Sequence, residues 1–143
     1  MTGWDPGPGV VELPDGRRVR GGGVRRPHSD VPDFAVYLLG REPRVEGRDY
    51  RWVRWRDFRL PDSTPDAVDA LTEAYARAAT ERVEIACGGG VGRTGAALAL
   101  LAVMGGVPTE DAVAWVRLRY HPRAVETRQQ RRWVGTAAQH LHG

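Results

Sequence analysis

Apolar positions along the chain alternate between strand-like runs and helical spacings. Val10–Leu13 and Arg17–Arg20 flank Pro14-Asp15-Gly16, a turn sequence between two short strands. Phe34-Ala35-Val36-Tyr37-Leu38-Leu39 is a continuous apolar run bounded by Pro32 and Gly40, which suits a central strand covered on both faces. Tyr50–Trp55 is rich in β-formers and partly alternating, and Val83-Glu84-Ile85-Ala86 reads as another buried strand. Between them Val68, Leu71, Tyr75 and Ala78, spaced by three and four, predict a helix over Pro65–Thr80. Ala96–Met104 reads as a buried helix. Val113, Val116 and Tyr120 mark the inner face of a third helix, which Thr109 would cap and His121-Pro122 would stop. Thr127-Arg128-Gln129-Gln130 is a capping box for a last helix with Trp133, Val134, Ala137, Ala138 and Leu141 on its apolar face.

Strand, helix, strand is the order of a parallel crossover. The expected fold is therefore α/β, a mostly parallel twisted sheet of about four to five strands flanked by about four helices. It forms one domain over residues 1–143, with Met1–Gly9 an irregular surface segment that Trp4 pins down. Gly21-Gly22-Gly23 reads as a flexible connector, with a second anion-binding nest as the alternative.

Composition narrows the function. The chain has 143 residues and one cysteine, so no internal disulfide can form and the core must suffice. Met1–Pro14 shows no basic segment followed by an apolar one, and the longest apolar run is too short for a bilayer that needs about 20 residues. A cytoplasmic protein with no membrane partner is expected. All 21 residues counted as Lys+Arg are arginine and the net charge is +3. They form no stripe with interleaved aromatics, which argues against nucleic acid and leaves an anionic substrate as the better fit. His28, His121, His140 and His142 lack metal-ligand spacing, so no metal and no cofactor is expected.

The chemistry concentrates in Cys87-Gly88-Gly89-Gly90-Val91-Gly92-Arg93-Thr94-Gly95, placed between the Val83 strand and the Ala96 helix. Glycines let successive N–H groups of Gly88, Gly89, Gly90, Val91 and Gly92 turn inward, and the helix N-terminus adds its positive end. An anion such as inorganic phosphate or sulfate belongs there. A sulfur in that field is favoured as thiolate, hence as nucleophile. Arg93 can hold two anion oxygens with its planar fork, and Thr94 brings a hydroxyl close to Cys87.

Cys87, five residues, Arg93, Thr94 and Gly95 resemble the signature of the cysteine-dependent protein tyrosine and dual-specificity phosphatases. The resemblance implies a phosphatase-like fold, attack of the cysteine on phosphorus, a cysteinyl-phosphate intermediate and no metal. It implies a phosphorylated protein or small phosphomonoester as substrate, phosphotyrosine by default. A monomer is expected. Where the family usually has a histidine before the cysteine, this chain has Ala86.

A thiolate attack on a phosphomonoester needs a proton donor for the leaving oxygen. Trp55-Arg56-Asp57-Phe58-Arg59-Leu60-Pro61-Asp62 resembles the family's Trp-Pro-Asp loop, with Trp55 at the hinge and Asp57 as the acid. Arg56 replaces the proline and Arg59 stands where glycine is common. Asp62 is the rival acid. The family's water-orienting glutamine near the last helix implies Gln130, while the preceding glutamine position is Glu126. The alternatives are a phosphate-binding pseudophosphatase without turnover and a rhodanese-type sulfurtransferase, which gives no reason for the Asp57 loop or Thr94.

Overall fold

The computed structural model describes residues 3–142 as a five-stranded sheet with four α-helices. Strands β1 (Val10–Glu12), β2 (Arg18–Gly23), β3 (Phe34–Leu39), β4 (Asp49–Arg54) and β5 (Val83–Cys87) lie in the order β1-β2-β5-β3-β4. β1 runs antiparallel to β2, and the other three pairings are parallel. Helices α1 (Thr64–Arg77), α2 (Gly92–Met104), α3 (Ala112–Arg119) and α4 (Arg128–His142) complete the α/β architecture expected from the apolar pattern. Among the described residues no helix is long and apolar enough to cross a membrane.

The pattern of each strand explains its place. β3 is buried along nearly its whole length and sits between β5 and β4, whereas β4 is half exposed and forms the edge. The α1 crossover from β4 to β5 therefore passes over β3 rather than joining neighbours. Phe34, Val36, Leu38, Val83 and Ile85 share one core with apolar residues of all four helices. Ala35, Tyr37 and Ala86 point to the other face and form a small second cluster with Leu39, Val45 and Tyr50. Because β2, β5, β3 and β4 run in the same direction, Gly23, Cys87, Leu39 and Arg54 all end at one edge of the sheet.

Three local expectations change. Gly21-Gly22-Gly23 is the paired end of β2, in register with Ile85, Ala86 and Cys87, and is neither a flexible connector nor an anion nest. A Cβ on Gly21 would meet the Tyr120 ring at 2.5 Å and one on Gly23 the Gly89 carbonyl carbon at 2.7 Å, so only glycine admits those neighbours. Thr109 does not cap α3: Thr109–Asp111 is a 3₁₀ turn, and neither it nor α3 has a side-chain N-cap bond. At α4, Thr127 Oγ1 accepts the Gln130 N–H at 3.0 Å, but Gln130 Oε1 accepts from Glu126 N–H at 2.9 Å instead of closing the box on Thr127.

The ends are anchored as well. Trp4 is buried, and its indole N–H donates to Val83 O at 2.8 Å, which pins the described part of the N-terminal segment; Met1 and Thr2 lie outside the described residues. Ser63 caps α1 by accepting the Asp66 N–H at 3.2 Å, with Pro65 in the first turn.

Candidate active site

Cys87 is the last residue of β5 and its side chain is buried. The loop that follows is shaped by what its carbonyls do. Cys87 O accepts from Val24 N–H at 2.8 Å, Gly88 O from Arg25 N–H at 3.2 Å, and Gly90 O from the Tyr120 hydroxyl at 2.5 Å. With those carbonyls tied to the surrounding shell, the Gly90 N–H turns inward to Cys87 Sγ. Gly90, at φ 78°, lies so close to β2 that a Cβ would meet the Gly22 carbonyl carbon at 2.8 Å. Burial first, and then the neighbouring Cys87 and Glu84, push the Tyr120 phenol above its ordinary range, so it stays a proton donor to the loop.

The sulfur has two donors. Gly90 N–H points to Cys87 Sγ at 3.2 Å, and Thr94 Oγ1 lies 3.0 Å from it while also reaching Gly22 O at 3.3 Å. α2 starts at Gly92 with no side-chain cap, leaving its first N–H groups and the dipole's positive end directed at the same point. Ala86, in place of the family's histidine, packs against Ala35 and Tyr37 on the opposite face; β2 and Tyr120 hold the loop instead.

Arg93 is 5 % exposed and fully engaged on one side only. Its Nη1 donates to Leu38 O at 3.1 Å and Trp55 O at 2.9 Å, which fixes the guanidinium between the end of β3 and the head of the next loop. Its Nη2 lies 3.5 Å from Asp57 Oδ1. Its Nε has no partner among the described residues. A buried donor without a partner is costly, and an oxyanion above the loop would supply the missing acceptor.

The acid loop is closed at its ends. Trp55 pairs with Pro61 in an isolated antiparallel bridge, and its indole N–H donates to Arg59 O at 2.7 Å. Trp55 is buried against Trp133, ring centres 4.8 Å apart. Left-handed backbone falls on Phe58 (φ 60°) and not on Arg59, so a phenylalanine carries the strain that a glycine would relieve. Asp57 reaches a cavity of about 130 Å³ that Cys87, Gly89, Val91, Gly92 and Arg93 also line. Asp62 does not reach it: its carboxylate lies 3.5 Å from Arg54 Nε, on the far side of the bridge.

Three further side chains wall this cavity, Phe58, Glu126 and Arg25. Glu126 lies over Gly92, where a Cβ would come within 2.1 Å of its Oε1. The chain there is held hard: Val125 has φ 65°, Arg117 binds the carbonyls of Ala124 and Val125 at 2.8 Å each, and Gln130 holds the Glu126 N–H. Gln130 is thus buried behind Glu126, with its Nε2 unpartnered, and does not line the cavity. Arg25 has no sequence signal at all, since it follows the glycine triplet in a charged, Pro-containing stretch.

A roomier hollow of about 450 Å³ between Trp4, Arg20 and His28 contains no cysteine and no glycine-rich loop ahead of a helix, so chemistry and not size selects the site. Among the described residues no three His, Cys, Asp or Glu side chains converge as a metal-binding group.

The family described as protein-tyrosine phosphatase matches residues 29–141, and the chain belongs to it. Its fold is similar to that of Tk-PTP in the active form, at 22 % identity, covering 92 % of this chain and 97 % of that one with a TM-score of 0.71. It is equally similar to human DUSP28, at 15 % identity, covering 93 % and 97 % with a TM-score of 0.72. A kinase associated phosphatase with serine in place of its catalytic-site cysteine matches at 16 % identity over 78 % of this chain and 71 % of its own, TM-score 0.64. A comparison with curated proteins gives no match. The protein is a cysteine-dependent phosphatase, a phosphoric monoester hydrolase.

Proposed function

We propose that the protein hydrolyses phosphotyrosine, or phosphotyrosine-like aryl phosphates, through a cysteinyl-phosphate formed on Cys87. The observation that carries this reading is a buried sulfur, donor-bonded by Gly90 and Thr94, beneath an arginine whose Nε lacks a partner. In the first step Cys87 Sγ forms a bond to phosphorus in line with the breaking P–O bond, and Asp57 gives its proton to the departing oxygen. The equatorial oxygens sit on the amides of Gly88–Arg93 and on the Arg93 guanidinium, which hold the charge of the loose transition state. In the second step water attacks phosphorus, its proton goes to the Asp57 carboxylate, and the S–P bonding pair returns to sulfur. Thr94 then stabilises the released thiolate with its hydroxyl.

Glu126 and Gln130 divide the work that sequence alone assigns to Gln130. Glu126 faces the cavity, where it can accept a hydrogen bond from the attacking water, and Gln130 holds the Glu126 backbone in place. A phosphotyrosine side chain suits the mouth, because Phe58, 56 % exposed, offers an apolar wall for an aromatic ring. The protein works as a cytoplasmic monomer on phosphorylated proteins and needs no cofactor.

Turnover of p-nitrophenyl phosphate and of a phosphotyrosine peptide tests this directly. The expected result is activity in the wild type and a loss of about 10⁴-fold or more in Cys87→Ser, with phosphate binding retained. Phosphate binding without turnover in the wild type would instead indicate a pseudophosphatase.

A further inference from the structure

The five residues between Cys87 and Arg93 carry no charged side chain. The fold supplies one from the segment that follows β2. β2 runs parallel to β5, and past its last residue the chain stays bonded to the phosphate loop through Val24 N–H to Cys87 O and Arg25 N–H to Gly88 O. Those bonds fix the root of the Arg25 side chain, which folds back to line the cavity over Cys87. A methyl group placed on Gly88 would lie 3.3 Å from Arg25 Nη2 and 3.0 Å from Arg93 Nη2. Two guanidinium groups, one from the first turn of α2 and one from the segment after β2, therefore reach one point above Gly88.

Their states differ. Arg93 is buried and anchored by two carbonyls, whereas Arg25 is exposed at the rim and its side chain has no hydrogen bond or ion pair among the described residues. Elsewhere on the surface, Arg51 and Arg77 are each held by three carboxylates. A cation kept free beside an anion site, with the inner anion already served by Arg93 and the loop amides, has its own fork available for a second acceptor.

Resting on the phosphatase reading above, we infer that Arg25 is a specificity-determining residue that binds an anionic group flanking the scissile phosphate. The substrate it selects is a phosphotyrosine peptide with an acidic side chain next to the phosphotyrosine. Phe58 on the rim of the same cavity favours an aryl phosphate over a compact polyol phosphate. The strength is that of a rim charge pair, roughly three- to ten-fold in kcat/KM, and it should shrink as salt rises because Arg25 faces solvent.

The test uses pairs of phosphotyrosine peptides that differ only by Glu or Gln on either side of the phosphotyrosine. kcat/KM is measured for the wild type, Arg25→Gln and Arg25→Lys at low and high salt, and peptide Kd is measured in the Cys87→Ser background. The wild type should favour the Glu peptide, Arg25→Gln should abolish that ratio, and Arg25→Lys should keep part of it. Three results would overturn the inference: equal rates on both peptides in the wild type, a ratio that survives in Arg25→Gln, or equal losses on both peptides in that variant. Preference for inositol bisphosphate over both peptides would also overturn it. Turnover of p-nitrophenyl phosphate by the wild type reports on the phosphatase reading alone, and if turnover fails, the Kd ratio still decides the role of Arg25.

Discussion

Two loops meet over Cys87 and are held in opposite ways. The Gly88–Gly92 loop has almost no side chains, yet the Arg25 N–H just past β2 and the Tyr120 hydroxyl bind its carbonyls, and β2 packs against its backbone at van der Waals distance. The Asp57 loop is rich in side chains and is fastened by the Trp55–Pro61 bridge at its ends, and within by the Trp55 indole on Arg59 O, the Arg59 N–H on Arg56 O and the 3.5 Å approach of Arg93 to Asp57. Its tip is a strained, exposed Phe58. The proposed mechanism gives a reason for the difference. Charge stabilisation works best when donors need no reorganisation, so the anion cradle is rigid. A proton donor that must admit substrate and then close over it belongs on a segment with a free tip.

Arg93 couples the two loops, since one guanidinium touches Trp55 O, Leu38 O and the Asp57 carboxylate. Arg93→Lys should therefore give the largest effect after loss of the nucleophile, a fall of roughly 10³-fold in kcat/KM, because an ammonium cannot satisfy the carbonyls and an anion together. A loss below ten-fold would mean that the cradle acts without it.

Asp57→Asn separates the acid loop from the cradle. Turnover of a phenyl phosphate with a poor leaving group should drop about 10²-fold, with a smaller drop for p-nitrophenyl phosphate, whose leaving group needs less protonation. If Asp62→Asn reproduced that dependence and Asp57→Asn did not, the acid would be misassigned despite its place in the cavity.

The rigid loop is tested by crowding. Gly92→Ala should destabilise by roughly 1–3 kcal/mol, since its Cβ would collide with Glu126, and Glu126→Ala in the same chain should restore most of that loss. Denaturant unfolding of the two single variants and the double variant measures the coupling. Additive effects would show that Glu126 moves aside freely.

The smallest effect is expected at Tyr120. Tyr120→Phe removes the bond to Gly90 O and should cost about 1 kcal/mol at neutral pH. Because burial and the nearby negative charges raise the folded phenol above its usual 10.0, the unfolded tyrosine ionises first. Wild-type stability should thus fall as pH rises past that value, and the variant should lose this part of the pH dependence.

Much of the site was legible because its chemistry is local. Strand, glycine-rich loop and helix are contiguous in sequence, so Cys87, Arg93 and Thr94 could be placed from the chain alone, and the Asp57 loop followed from a short motif. The parts that escaped depend on neighbours distant in sequence. Gly21–Gly23 looks like a break in regular structure until Tyr120 and the phosphate loop are seen to require its missing side chains. Arg25 matters only because β2 pairs with β5, and no spacing announces that register. Gln130 fits a capping box and a water-positioning motif equally well, and the bond from the Glu126 N–H to the Gln130 side-chain oxygen decides which group faces the cavity.

The most direct measurement is rapid quench of the Asp57→Asn variant with a phosphotyrosine peptide, followed by mass spectrometry of the acid-quenched protein. The added phosphoryl mass should map to the peptide containing Cys87 and be absent in Cys87→Ser. A wild-type enzyme that turns over while Cys87 never carries phosphoryl, or a phosphoryl group found on another residue, would contradict the account.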